Sequence, residues 1–213
     1  MNFDYLFDHW REVLHLTWEH IVLCGIAIFL ALIFAIPLGI LISAMPRLRF
    51  TTIAILGAIY TIPSLAFLAF LIPSMGLGRQ PAVVVLAAYA QLALVRNMQT
   101  GLTGVDPRVI EAASGVGMTP WQSLTRVRLP LALPVLIAGL RIATVSTISL
   151  ATITAWISAG GLGTLLFEGI ARNSPSRILA GTIAITALAL LTDFLLRFAE
   201  SMTAISRARR AAG

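Results

Sequence analysis

The chain reads as an all-α membrane protein with about five transmembrane helices, and three observations carry that reading. Hydrophobic residues make up 58% of its 213 residues and charged residues only 11%, whereas soluble domains carry about 25% charged residues. Several uncharged runs exceed the roughly 18 residues at which an apolar segment becomes a candidate membrane span. The runs are continuously apolar, which excludes the alternating pattern of a membrane β-barrel.

The elements follow in order. In residues 1–20, Phe3, Phe7, Trp10, Leu14 and Trp18 recur near helical spacing with acids between them. That pattern predicts an amphipathic helix lying along the membrane surface. The same stretch holds Asp4, Asp8, Glu12 and Glu19 against Arg11, the opposite of the basic start of a cleavable signal. The first span is therefore expected to serve as an uncleaved anchor. Spans are expected at 21–45, with Pro37 kinking it, and at 51–75, containing Pro63 and Pro73. Three more follow at 81–98, 134–157 and 178–198. Together they make a transmembrane domain over 21–200, followed by a basic tail over 201–213 ending in Arg207, Arg209 and Arg210.

The net charge is +6 and all fifteen basic residues are arginine. In a membrane chain such residues gather on the cytoplasmic side, so a lipid bilayer and no nucleic acid is the expected surrounding. With five spans, ten arginines, from Arg47 and Arg49 to the tail, fall on one side and four on the other. That asymmetry places the C-terminus in the cytoplasm and the N-terminus outside. Cys24 is alone and reads as a small buried hydrophobe; His9, His15 and His20 do not share a helix face, so no metal site is expected.

Residues 106–130 form a polar island. Asp106 followed by Pro107, and Thr119 followed by Pro120 with Gln122 three residues on, are helix-start signals. Gly115 or Gly117 can end the first piece. The island thus predicts two short helices meeting at Gly117, with Pro130 blocking continuation into the fourth span. Within it, Glu111-Ala112-Ala113, then three residues, Gly117, nine residues and Val127-Arg128-Leu129-Pro130 resemble the cytoplasmic coupling loop of binding-protein-dependent ABC importer permeases. Val127 stands where that family usually has isoleucine. Thr61-Ile62-Pro63-Ser64-Leu65-Ala66, Gly139-Leu140-Arg141 and Gly160-Gly161-Leu162-Gly163 extend the resemblance to the glycine betaine, carnitine and choline group. The last segment is also similar to methionine-type permeases.

The resemblance implies a type I importer architecture in the cytoplasmic membrane of a bacterium or archaeon. It also implies partners: two ATP-binding subunits, a second permease chain, identical or homologous, and an extracytoplasmic substrate-binding protein. Glu111, Ala112, Ala113, Gly117 and Pro130 would then couple the chain to its ATPase. A phosphate-binding P-loop needs a lysine and the chain has none. No catalytic residues and no cofactor are therefore expected here, and ATP and Mg would be bound by the partner. The substrate implied is a small osmoprotectant. The alternatives are another small solute such as an amino acid, or an ATP-independent secondary transporter.

Pathway candidates follow from residue type. Arg141 in the fourth span must face protein or water, or snorkel to the inner interface. Thr144, Thr147 and Thr154, with Ser146 and Ser149, offer either a polar lining or helix-packing hydroxyls. Gly160, Gly161 and Gly163 suit a tight outer turn or an external gate, and Pro63 marks the second span. Tyr60, Phe67 and Phe70 offer π-faces to a quaternary ammonium group, though lipid-facing or packing aromatics are the simpler account. Asp193 and Arg197 are spaced as an i,i+4 ion pair.

Overall fold

The computed structural model describes residues 4–203, so the arginines of the basic tail lie outside the described residues. The order is α1 (Asp4–Asp8), α2 (Trp10–Ala44), α3 (Pro46–Thr61), α4 (Ser64–Met75), α5 (Arg79–Thr103), α6 (Pro107–Gly115), α7 (Pro120–Ser123), a π-helical turn (Leu124–Arg128), α8 (Leu129–Thr154), a 3-10 turn (Ala155–Ile157), α9 (Gly163–Ala171) and α10 (Pro175–Ser201). No strand occurs among the described residues.

Helices α2, α5 and α8 form the centre. On α2, Ala27, Ala31, Ala35 and Gly39 recur every four residues and are buried. Such a stripe lets backbones approach closely in lipid, where apolar burial alone does not drive helices together. A Cβ at Gly39 would lie 2.3 Å from Cγ of Met98 on α5. A Cβ at Gly139 on α8 would lie 2.4 Å from Cβ of Asn97. Two core clusters fill these contacts, one around Leu23, Leu86 and Ile148 and one around Ala35, Val95 and Ala143. Phe29, Phe34, Phe194 and Leu190 point outward, as lipid-facing side chains should.

Four expectations are corrected. The amphipathic segment expected over 1–20 is not a separate surface helix, because α2 runs unbroken from Trp10 to Ala44 and through Pro37. No glycine or proline lies between Trp10 and Cys24 to stop it. Its 35 residues span about 52 Å at 1.5 Å per residue, longer than the ~30 Å hydrocarbon core. The polar first turns therefore project beyond the membrane and pack Val13 and Leu16 against Leu162, Leu165 and Ala180.

The second span is not one helix. α3 and α4 meet at an angle of 89°, because Ile62 precedes a proline and is held extended (φ −64°, ψ 128°). The pair still crosses the bundle. At one end Pro46, Arg49 and Phe50 share a cleft with Arg96, Gln99 and Thr100. At the other the Gly78 amide donates to the Ile157 carbonyl at 2.8 Å and Arg79 pairs with Glu19 at 2.7 Å. Counted as one span, this bent pair brings the candidate crossings among the described residues to five by length and composition.

Pro130 does not block continuation. The helix passes from Pro120 to Ile157 as one candidate span, with a π turn where the Leu129 amide bonds back to the Leu124 carbonyl. The widened turn carries the helix through Pro130 without a break. α5 also runs past the expected limit near Met98 to Thr103, so Arg96, counted among the ten arginines of one side, stands two turns before the helix ends.

Candidate functional site

The polar island folds as its punctuation predicts. The Asp106 carboxylate accepts from the Arg108 amide at 2.9 Å and starts α6. The helix ends in a paired cap: the Met118 amide donates to the Ala113 carbonyl and the Gly117 amide to Ser114. This closure needs the left-handed backbone that Gly117 supplies at φ +80°. Thr119 and Gln122 then exchange backbone and side-chain hydrogen bonds to open α7. All of these bonds are local, so the loop holds its shape without a partner. Ala113 is buried toward the bundle, while Glu111 and Ala112 are exposed. Val116 and Trp121 stand out at 75% and 69% exposure. Two large apolar side chains on a polar loop form a surface suited to docking protein.

A cleft of about 760 Å³ lies between α5 and α8, with Tyr60 of α3 at its edge. α8 contributes Ser146, Thr147 and Ser149, and α5 contributes Tyr89, Arg96 and Asn97. The Tyr60 and Tyr89 rings are 5.5 Å apart and tilted by 55°. The Tyr89 hydroxyl donates to the Ile62 carbonyl, so the break at Pro63 and the aromatic pair are one construction. Of the three threonine candidates, Thr147 reaches the cleft. Thr144 and Thr154 do not line it; they donate to their own helix at Leu140 and Ala151, both at 2.8 Å. Asn97 is held by its bond to the Ala93 carbonyl at 2.8 Å.

Arg141 lies outside the cleft lining and faces Asp193 of α10, Nε to Oδ1 3.6 Å. Asp193 also pairs with Arg197 at 3.3 Å, so one carboxylate serves two arginines. This pairing answers the cost of an arginine in a span without assigning it to solute.

At the opposite end from the island, Gly160 and Gly161 adopt φ +84° and +81°. The Gly161 amide donates to Glu19 at 3.1 Å, and the Leu162 amide to Nδ1 of His20 at 3.3 Å. Nε2 of buried His20 is 3.0 Å from the Ile148 carbonyl, which requires the proton on Nε2. Gly163 opens α9 so close to α8 that a Cβ would lie 2.1 Å from the Thr152 carbonyl oxygen. The glycine segment is thus knitted to the first turns of α2 across 142 residues of sequence.

The family model described as binding-protein-dependent transport system inner membrane component matches residues 14–203. The chain belongs to this family. Among its relatives, the choline transport system permease protein OpuBB of Bacillus subtilis is 42% identical over 189 residues, covering 89% of this chain and 87% of the relative. The osmoprotectant import permease protein OsmW of Salmonella typhimurium is 40% identical over 200 residues, 90% of this chain and 92% of the relative. A chain of the inward-facing MetNI methionine ABC transporter superposes with a TM-score of 0.80 at 23% identity, over 87% and 93% of the two chains. An amino acid ABC transporter chain superposes at 0.74 with 16% identity, over 94% and 98%. These last two likenesses bear on the fold alone, and the fold they share is that of type I importer permeases.

In this inner membrane component, Tyr89, Arg96 and Asn97 are the cleft residues that sequence reasoning missed. A usable signal was present: Arg96 and Asn97 interrupt an apolar run whose helix continues to Thr103. Counting Arg96 among the ten arginines of one side treated it as a flanking charge and hid it.

Proposed function

We propose that this chain is the permease half of an ATP-driven importer for small osmoprotectants of the glycine betaine, choline or carnitine type. The observation that carries the coupling half of this reading is the prefolded loop over 106–130, which presents Ala112, Val116 and Trp121 outward. ATP and Mg would sit on two partner ATPase subunits, since the chain has no lysine for a P-loop. Closure of the ATPases would drag the loop, and with it the continuous helix from Pro120 to Ile157. A rigid lever from docking loop to cleft converts ATP state into one of two helix packings. A second permease chain would close the α5–α8 cleft, and an external binding protein would deliver solute to the end carrying Gly160 and Gly161. The loop and the C-terminus would face the cytoplasm, as the arginine asymmetry favours. The names of the relatives support an osmoprotectant over an amino acid.

Trp121→Glu tests the docking half. It should abolish co-purification with the ATPase subunits while leaving the permease inserted. Undiminished co-purification and coupled transport would remove the loop from the interface.

A further inference from the structure

Arg96 on α5 and Arg141 on α8 stand on the two helices that bound the cleft, and the fold treats them differently. Arg141 has Asp193 at 3.6 Å. Arg96 makes no ion pair among the described residues, yet it lines the α5–α8 cleft, and no carboxylate shares that lining. Arg96 is exposed, and a guanidinium that faces a cleft without an ion-pair partner is free to receive an anionic group there. Tyr89 lines the same cleft two turns earlier on α5, about 10 Å along the axis, with Tyr60 of α3 against its ring. Helical side chains lean toward the N-terminus, which carries the Arg96 guanidinium back toward those rings. The Tyr89 hydroxyl is occupied at Ile62, so what it offers the cleft is its ring. An aromatic pair at one end and a lone guanidinium at the other match a molecule with a quaternary ammonium at one end and a carboxylate at the other.

We infer that Arg96 is a specificity-determining residue, receiving the carboxylate of a zwitterionic solute while Tyr60 and Tyr89 face its quaternary ammonium group. The inference deepens the osmoprotectant reading and rests on it. It sets zwitterions such as glycine betaine apart from choline, which has the same ammonium group and no carboxylate. Ser146 and Asn97 also line the cleft and supply uncharged hydrogen-bonding groups that either solute tolerates.

The test uses the complete importer in proteoliposomes, with its binding protein saturated in turn by labelled glycine betaine and labelled choline. Arg96→Gln should lower glycine betaine uptake about tenfold, the worth of one hydrogen bond to a charged group. Choline uptake should change by less than about twofold, having no carboxylate to lose. Arg96→Lys should restore part of the glycine betaine rate, since it keeps charge without the planar fork. Tyr60→Leu should slow both solutes alike. Equal loss of both solutes in Arg96→Gln would overturn the inference. So would the same selectivity change in Arg49→Gln, because Arg49 and Arg96 share a second cleft and an equal effect would point to an anionic lipid headgroup there. A wild-type complex that imports neither solute would instead remove the osmoprotectant reading itself, before any variant is made.

Discussion

At the end carrying α6 and α7, side chains bond to amides two or three residues away; at the end carrying α9, they bond to amides 142 residues away. The first region is shaped by its own sequence and leaves its apolar side chains, Val116 and Trp121, exposed. The second is shaped by the rest of the chain: Glu19 joins Arg79 and Gly161, and His20 joins Ile148 and Leu162. A preformed, outward-facing loop is suited to grip another subunit. A cross-linked turn is suited to hold α2, α5, α8 and α9 in one arrangement. The cleft lies between the two, on the helices that connect them.

The sharpest way to break this contrast is to attack the cross-linked end. Gly163→Val puts a branched side chain against the Thr152 carbonyl oxygen, where even a Cβ would sit at 2.1 Å. Backbone must then move, at a cost of about 3 kcal/mol or more. The whole bundle should lose thermal stability in detergent and fail to assemble. An unchanged melting temperature would mean that the α8–α9 junction is looser than described. At the other end the expected effect is smaller and confined. Thr119→Ala removes the cap of α7, worth about 1 kcal/mol. The melting temperature of the bundle should hold, while solute imported per ATP hydrolysed falls by no more than about fivefold. Global destabilisation by this variant would show that the loop is part of the core.

The same contrast decides what could be read from the sequence. Caps at Asp106, Thr119 and Gly117 were legible because their partners lie within five residues. The apolar spans were legible because length and absence of charge suffice. The 89° break at Pro63 was not, because a proline inside an apolar run reads equally as a kink. Pro130 misled for the related reason that a π turn can carry a helix through a proline. Arg141 was visible as an intramembrane charge, but Asp193 is 52 residues away on another helix, and only packing reveals the pair. Tyr89 gained meaning only once Ile62 was beside it. Thr144 and Thr154 shared a hydroxyl-rich helix with Thr147, and rotation about the axis, not composition, separated them.

The central claim is that this chain moves solute only when a docked ATPase changes its packing. It is tested most directly by uptake of labelled glycine betaine into proteoliposomes holding the full complex and its binding protein, with and without enclosed ATP. The account predicts accumulation with ATP and none above background without it. Equal accumulation in both would contradict it.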